Sequence, residues 1–135
     1  MTDNRDLTPT LDEFIAACDA AFSFLVRDFG FERLSAPMQH NRYSIRFRKN
    51  QLGVDVYGES YGNSADCQLV RGEDRLYLGL LLPPSAQTAR PEGQLAQLAA
   101  IAEELRQHAS DFLAGDATRF ETWLSEWRKR FPKLP

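Results

Sequence analysis

The spacing of hydrophobic residues changes near residue 30, and this change limits the folds open to the chain. From Leu11 to Phe29 they recur every three or four residues, which is the period of an amphipathic helix. Between residues 31 and 82 they recur at every second residue, which is the period of a strand with one buried face. From Gln94 onward the helical spacing returns. A helix, a group of strands and a helical C-terminal part in this order predict an α+β fold.

The first predicted helix has sequence signals at both ends. Thr10 and Glu13 have the spacing of a capping box, in which the threonine oxygen accepts from a first-turn amide and the glutamate accepts in return. Gly30 can adopt the left-handed conformation that commonly follows a helix. We therefore predict a polar tail over residues 1–9 and a helix over residues 11–29.

The alternating segment predicts two antiparallel hairpins. The buried face of the first contains Tyr43, Ile45, Phe47, Leu52, Val54 and Val56. Its turn holds two or four residues; both lengths place Phe47 opposite a valine, and the two-residue turn also places Arg46 opposite Asp55 on the other face. A further short strand is predicted over residues 31–34.

The second hairpin turns at Arg71-Gly72-Glu73-Asp74. This turn places on one face the apolar residues Cys67, Leu69, Leu76, Leu78 and Leu80. Pro83 and Pro84 cannot continue a central strand, so they are predicted to end the last one. The sheet then has four or five antiparallel strands within residues 31–82.

Two helices are predicted in the C-terminal part, over residues 94–131. The first ends at Gly115, and Asp116 can cap the second, which Pro132 stops. Trp123 and Trp127 share a face of the second helix with the aromatic residue Phe120, a pattern that is more typical of core packing than of an interface and leaves both roles open. We predict that both helices pack on one face of the sheet and that residues 1–135 form a single domain.

Composition narrows the classes of function. A net charge of −3 disfavours general binding to duplex DNA or to anionic membranes, both of which usually need a strongly basic surface. No segment approaches the roughly 20 apolar residues of a membrane span, and residues 1–10 lack an apolar signal core, so we expect a cytoplasmic protein. The sequence contains no CxxC pair, so it gives little support to a zinc site. Cys18 and Cys67 are therefore predicted to be buried free thiols.

Basic residues are nevertheless concentrated in one short segment. Between Arg33 and Asn50 there is no acid, and there are five bases: Arg33, Arg42, Arg46, Arg48 and Lys49. The three central arginines fall on the polar face of a predicted strand. Asp55 and Glu59 on the next strand are positioned to neutralise them, and in that case the face is a salt-bridged surface. Otherwise it binds an acidic partner or a phosphate backbone, with contacts from Arg42, Arg46, Arg48, Tyr57 and Tyr61.

Two other patterns suggest chemistry. Gly58-Glu59-Ser60-Tyr61-Gly62 matches the nucleophile elbow of serine hydrolases, but that motif joins a strand to a helix, and residues 63–66 predict a turn followed by a strand. A hydrolase using Ser60 and His108 is therefore a minor alternative. Glu104, His108 and Asp111 have helical spacing, which is more typical of a solvated face than of a metal site. We assign no catalytic residue, metal ligand or cofactor.

The order of these elements resembles a group of small uncharacterised bacterial α+β proteins, some of which look like immunity partners of secreted polymorphic toxins. The resemblance covers residues 11–114 and is carried by segments 26–31, 41–47, 54–56 and 111–113. It implies a cytoplasmic protein that acts by binding, and it transfers no functional residue. The function expected is non-enzymatic and immunity-like, with a single-stranded nucleic-acid binder as the alternative. Pairing between copies of the chain is also open.

Overall fold

The computed structural model describes residues 9–34, 42–59, 64–82 and 91–130. Along the chain it contains α1 (Leu11–Arg27), β1 (Glu32–Arg33), β2 (Arg42–Lys49), β3 (Leu52–Glu59), β4 (Ala65–Arg71), β5 (Asp74–Tyr77), a 3-10 helix (Leu78–Leu81), α2 (Gln94–His108), α3 (Ser110–Leu113) and α4 (Thr118–Arg130). The α+β fold is confirmed, with an N-terminal helix, a five-stranded antiparallel sheet and C-terminal helices.

Each strand of the sheet pairs with the next one in the sequence, so the order is β1-β2-β3-β4-β5. The first hairpin has the two-residue turn, because Lys49 pairs with Leu52, and Asn50 has the positive φ of 55° that such a turn requires. This register places Arg46 opposite Asp55, as the shorter turn predicts. The second hairpin also turns where predicted, with Arg71 opposite Asp74.

The two faces of the sheet differ. On the inner face, α1 packs against β2 through aromatic pairs, with ring centroids 5.3 Å apart for Phe14 and Tyr43 and 6.2 Å apart for Phe22 and Phe47. On the opposite side is what we call the outer face, whose described side chains are mostly polar: Glu32, Ser44, Arg46, Arg48, Asp55, Tyr57, Asp66, Gln68, Val70, Arg75 and Tyr77, with Gly53 among them.

The predicted start of α1 is confirmed by its capping box. Thr10 Oγ1 accepts from the Glu13 amide at 3.1 Å, and Glu13 Oε1 accepts from the Thr10 amide at 2.8 Å. The helix ends at Arg27, two residues earlier than residue 29, and Gly30 follows with a φ of 76°. Both cysteines, Cys18 and Cys67, are fully buried, and neither forms a disulfide.

The last strand is shorter than predicted. It ends at Tyr77 rather than at Pro83, and Leu78–Leu81 forms a 3-10 helix. Apolar side chains occupy nearly every position from Leu78 to Leu82, so a strand would have to place some of them on the outer face. In the structure both Leu78 and Leu82 are buried instead.

Residues 94–130 contain three helices instead of the two predicted. The chain leaves helical geometry at Ala109, where φ is −129° and ψ is 16°, and this residue separates α2 from α3. Arg119 stabilises the break, because its Nη2 donates to the carbonyl oxygen of His108 at the end of α2. Asp116 lies one residue before the N-cap position of α4, and its carboxylate accepts from the first-turn amide of Thr118 at 3.0 Å.

The two tryptophans of α4 do not share one environment. Trp123 is half-buried against the core, which agrees with the prediction. Trp127 is 39% exposed, so the core role favoured for it is wrong. The residues of α4 that are buried against the rest of the protein are Phe120 and Leu124. Trp127 lies one helical turn beyond Trp123, after the last of these buried residues. No helix in the described ranges has the length and apolar character needed to cross a lipid bilayer.

Candidate binding surface on the outer sheet face

A buried carboxylate organises the centre of the outer face. The side chain of Asp55 is 1% exposed, and its two oxygens accept from Nη1 of Arg48 at 2.5 Å and from Nη1 of Arg75 at 2.6 Å. Tyr57 and Gln68 complete the group, since the tyrosine hydroxyl lies 3.0 Å from Gln68 Oε1 and 3.2 Å from Arg75 Nη1. Strands β2, β3, β4 and β5 are thereby joined by one polar network.

A glycine makes room for the Arg48 side chain in this network. Gly53 lies opposite Arg48, and a Cβ at this glycine would come 2.5 Å from Arg48 Nη1 and 2.9 Å from Cζ. The guanidinium therefore lies across the β3 backbone toward Asp55, two residues further along the strand. It also donates to the carbonyl oxygen of Phe47 at 2.9 Å.

The charge state of Asp55 follows from two opposing effects. Burial favours the neutral acid and on its own raises the pKa of Asp55. Hydrogen bonds from Arg48 and Arg75, together with their positive charges, outweigh burial and hold the pKa of Asp55 below its usual value. The same contacts raise the pKa of Arg75. Asp55 and Arg75 are thus both charged at neutral pH.

Five side chains were predicted to contact a partner, and the structure places three of them on the outer face. Arg46 is exposed, and its side chain forms no ion pair or hydrogen bond with another described residue. Arg48 and Tyr57 belong to the Asp55 network. Arg42 lies at the start of β2, but its side chain is outside the described part of the structure, as is the whole of Tyr61.

Asp55 and Glu59 are the two acids that the sequence places where they could neutralise the arginines, and among the described side chains Asp55 does so. Asp55 pairs with Arg48 rather than with Arg46, which is its direct neighbour across the strands. The Glu59 side chain lies outside the described residues. We name Arg46, Arg48, Arg75 and Asp55 the arginine cluster; with three cations and one anion it carries a formal charge of +2.

Two of the five bases between residues 33 and 50 have structural roles on the helical side. Arg33 Nε donates to Asp19 of α1 at 2.5 Å. Lys49 Nζ donates to the carbonyl oxygen of Leu113 at 3.1 Å, and it lies 5.6 Å from the Phe31 ring centroid. These contacts tie the sheet to α1 and α3, so neither base belongs to the arginine cluster.

A cavity of about 190 Å³ opens beside the arginine cluster, at the end of the outer face where β4 begins. Its lining is mostly polar and aromatic: Tyr57, Gly58, Ser64, Ala65, Asp66, Gln68 and Tyr77. The Tyr77 side chain is 49% exposed. Asp66 Oδ1 accepts from the following backbone amide at 2.8 Å, which fixes the carboxylate at the cavity wall.

Sequence reasoning did not single out Arg75 or Tyr77, although the signal was available. Once the turn at Arg71-Gly72-Glu73-Asp74 and the buried Leu76 are accepted, the alternation of a strand places both residues on the outer face. Both residues lie outside the basic segment of the sequence, residues 33–50. As a result, the second arginine on Asp55 and one aromatic wall of the cavity were not found.

The two motifs that suggest chemistry have ordinary surroundings where they are described. The hydrolase-like segment connects β3 to β4, which are antiparallel neighbours with Gly58 opposite Ala65, so it links strand to strand; Ser60 itself is outside the described residues. The second motif is the set of Glu104, His108 and Asp111 at helical spacing. In the structure the Asp111 carboxylate is ion-paired with Arg119 at 2.9 Å.

The described part of the chain offers charged hydrogen-bond donors held in place by a buried carboxylate, which suits recognition of an anionic surface. Within the described ranges, no group of three or more histidine, cysteine, aspartate or glutamate side chains is close enough to hold a metal ion. Comparison of the chain with protein-family models, with curated proteins and with solved structures found no match.

Proposed function

We propose that this protein is a non-enzymatic binding protein that holds an acidic protein partner with the arginine cluster and the adjoining Tyr57. The observation that carries the proposal is that Asp55 holds Arg48 and Arg75 in place, with the exposed Arg46 beside them, on an outer face whose opposite side is occupied by α1 and α2. The resemblance to immunity proteins suggests how binding acts: the outer face covers the partner's working site through charge and shape complementarity. The proposal keeps the cytoplasmic location expected from the sequence.

Two features of the cluster favour binding over a purely structural role. Arg46 is exposed, and no described residue satisfies its guanidinium. Arg75 uses only Nη1 in its contacts with Asp55, Tyr57 and Gln68, so Nε and Nη2 remain available on a side chain that is 43% exposed. Arginine side chains already held by Asp55 lose less conformational entropy when they bind a carboxylate, which favours affinity.

A second candidate function is single-stranded nucleic-acid binding by the same face. The exposed ring of Tyr77 near Arg75 favours it, because bases stack on aromatic side chains next to cations. The net charge of −3 opposes it, and so does the Asp66 carboxylate at the cavity wall. The two candidates differ in salt response, since affinity for a phosphate backbone falls steeply as salt rises.

The test is affinity capture of the tagged full chain from its native lysate, with and without nuclease, followed by mass spectrometry and nucleic-acid staining. Arg46→Ser is the informative variant, because no described contact depends on the Arg46 side chain. Arg27→Ser is the matched control: this exposed arginine lies at the end of α1, on the helical side. Arg48 is unsuitable, because its removal leaves Asp55 with one arginine fewer.

A single stoichiometric protein that survives nuclease, is weakened by Arg46→Ser and is retained by Arg27→Ser supports the proposal. We expect about a fivefold or greater loss of affinity in Arg46→Ser, which corresponds to roughly 1 kcal/mol. Capture that collapses with nuclease supports nucleic-acid binding instead. Equal affinity of Arg46→Ser and the unsubstituted protein rejects the arginine cluster as the contact surface.

A further inference from the structure

The strand β5 forms one edge of the described sheet, because it stands last in the order β1-β2-β3-β4-β5. Its register with β4 shows which backbone groups that pairing uses. Arg71 and Asp74 flank a two-residue turn, so they form a hydrogen-bonded pair, and Leu69 with Leu76 forms the next one. The residues that alternate with these pairs direct their backbone groups away from β4.

On β5 these alternating residues are Arg75 and Tyr77. Both N–H groups and the Arg75 carbonyl oxygen therefore point outward; the Tyr77 carbonyl belongs to the following 3-10 helix, of which Tyr77 is the N-cap. Both residues are exposed, and no hydrogen bond from elsewhere in the described chain reaches these three backbone groups. We call the three groups the open edge of β5. They offer two donors and one acceptor to an added strand.

The side chains beside the open edge of β5 favour an acidic occupant. Arg75 lies on the outer face, and its Nη1 is held by Asp55 at 2.6 Å, while Nε and Nη2 remain available on a side chain that is 43% exposed. In an added strand, the residue opposite Arg75 also places its side chain on the outer face. A carboxylate at that position meets the available side of Arg75 and the +2 charge of the arginine cluster.

Short, charged edge strands also protect sheets from edge-to-edge association. Arg75 can have this protective role against a second copy of the chain, since pairing two β5 edges would bring two positively charged clusters onto neighbouring sheet faces. An acidic segment meets the opposite situation, because the same charge attracts it. Charge complementarity therefore favours an acidic strand over a second copy.

We propose that the open edge of β5 accepts an extended acidic segment of the protein partner as an added strand, with carboxylates at alternate positions facing the arginine cluster. The inference rests on the proposed function for the origin of the segment, and it specifies how the partner is held. Backbone hydrogen bonds supply affinity in this mode of recognition, and alternate side chains supply specificity.

Synthetic peptides test the open edge of β5 without the partner. Acetyl-Thr-Glu-Thr-Glu-Thr-amide is titrated into the ¹⁵N-labelled full chain while amide chemical shifts and hydrogen exchange are recorded. The same peptide with glutamine in place of glutamate is the control for charge. We expect the glutamate peptide to shift the Arg75 and Tyr77 amides with saturation and to slow their exchange, and the glutamine peptide to bind about fivefold or more weakly.

Two N-methylated forms of the glutamate peptide test the backbone pairing. One is methylated at both glutamate amides, and the other at the two threonine amides that follow them. An added strand directs alternate amides toward β5, so antiparallel addition tolerates only the second peptide and parallel addition only the first. We expect the affinities of the two methylated peptides to differ by about tenfold or more.

Two substitutions at one position test the protein side of the pairing. Tyr77 has a φ of −66° and a ψ of 138°, which proline adopts without strain, and its N–H does not bond to β4. Tyr77→Pro therefore removes an outward donor while keeping the fold, which the amide spectrum checks. Tyr77→Ala removes the same ring and keeps the N–H. We expect Tyr77→Pro to bind the glutamate peptide about tenfold or more weakly than Tyr77→Ala.

Four results would overturn the proposal: no saturable shift with the glutamate peptide, equal binding of the glutamine peptide, equal binding of the two methylated peptides, or equal binding by Tyr77→Pro and Tyr77→Ala. If glutamate is preferred but methylation has no selective effect, the arginine cluster binds carboxylates without strand addition. In that case the proposed function stands and this inference fails. Undiminished capture by Arg46→Ser would reject the cluster as the partner's contact surface and leave the peptide results unaffected, so the two proposals fail separately.

Discussion

Gly53 and Arg48 face each other across the β2–β3 pair, and Nη1 of the arginine lies 2.5 Å from where a Cβ on the glycine would be. The absence of a side chain at Gly53 lets the guanidinium lie over the sheet and reach Asp55. A glycine in the middle of a strand costs stability through backbone entropy and lost packing. Here the ion pairs of the buried Asp55 carboxylate with Arg48 and Arg75 offset that cost.

Gly53→Ala should break this arrangement without disrupting the sheet. The new methyl group meets the end of a flexible side chain, so Arg48 moves away and Asp55 loses one partner. We expect the free energy of unfolding to fall by about 1–2 kcal/mol, as measured by urea denaturation. In an Arg48→Ala background the same substitution should be neutral or stabilising by up to about 0.5 kcal/mol. Equal effects in the two backgrounds would contradict the assigned role of Gly53.

Asp55→Asn should lower stability by an amount that depends on pH. At pH 7 we expect the free energy of unfolding to fall by about 2–3 kcal/mol. This is a small loss for breaking a buried ion pair, because Arg48 and Arg75 are partly exposed. The folded-state pKa of Asp55 is depressed, so its stabilising effect is complete above the ordinary carboxyl pKa of about 3.9 and is lost as pH falls through the lower, folded-state pKa.

Urea denaturation of both proteins between pH 7 and pH 2 checks this prediction. The difference in unfolding free energy between the unsubstituted protein and Asp55→Asn should stay constant down to about pH 5 and shrink below about pH 4. A difference that grows on acidification would mean that the carboxyl is neutral in the folded state, and the ion-paired description of Asp55 would then be wrong.

Gly58→Ala tests the contact between β3 and the helices on the inner face. A Cβ at this position would come 2.6 Å from the Phe14 ring and 2.8 Å from the Gln94 side chain, both of them fully packed. We expect a loss of about 1–3 kcal/mol from overpacking. Gly79→Ala is the matched control, because its Cβ would have no neighbour within 4 Å, and it should change stability by less than about 0.5 kcal/mol. Thermal denaturation of both variants separates the two cases.

The cysteines should be unreactive in the folded protein. Cys18 and Cys67 are fully buried, and burial, aided by the neighbouring Asp19 carboxylate and opposed by Arg33, raises the pKa of Cys18 far above its ordinary value. Maleimide labelling of the folded protein should be slower than in urea by more than about 100-fold, since each thiol needs an opening event that costs several kcal/mol. Rapid labelling of Cys18 in the absence of urea would show that α1 detaches from the sheet far more readily than its packing implies.

The sequence was sufficient for the elements that local chemistry determines. Thr10 and Glu13 located the start of α1, and Asn50 lies in the predicted first turn, whose length of two residues is decided by the structure. These features depend on residues within four positions of each other. The alternating pattern assigned the inner face correctly for the same reason, because the side-chain period of a strand is a local property.

Features that depend on distant residues were not predictable in the same way. The partner of Arg48 is set by the empty space at Gly53, and the second arginine on Asp55 comes from β5, twenty residues further along the chain. The break at Ala109 depends on Arg119, which lies on the next long helix. Side-chain contacts across several strands decide which charges are satisfied internally, and periodicity does not contain that information.

The buried position of Asp55 also decides which strand pairings the chain can accept. If β3 slipped by one residue against β2, its side chains would exchange faces, and the carboxylate would enter the aromatic interior beside Phe47 while Val54 and Val56 faced water. Arg48 and Arg75 could not follow it there, and an unpaired charge among apolar side chains is strongly unfavourable. Asp55 thereby disfavours every alignment in which β3 is shifted against β2 by an odd number of residues, so the buried carboxylate that joins four strands also keeps the two faces of the sheet from being exchanged during folding.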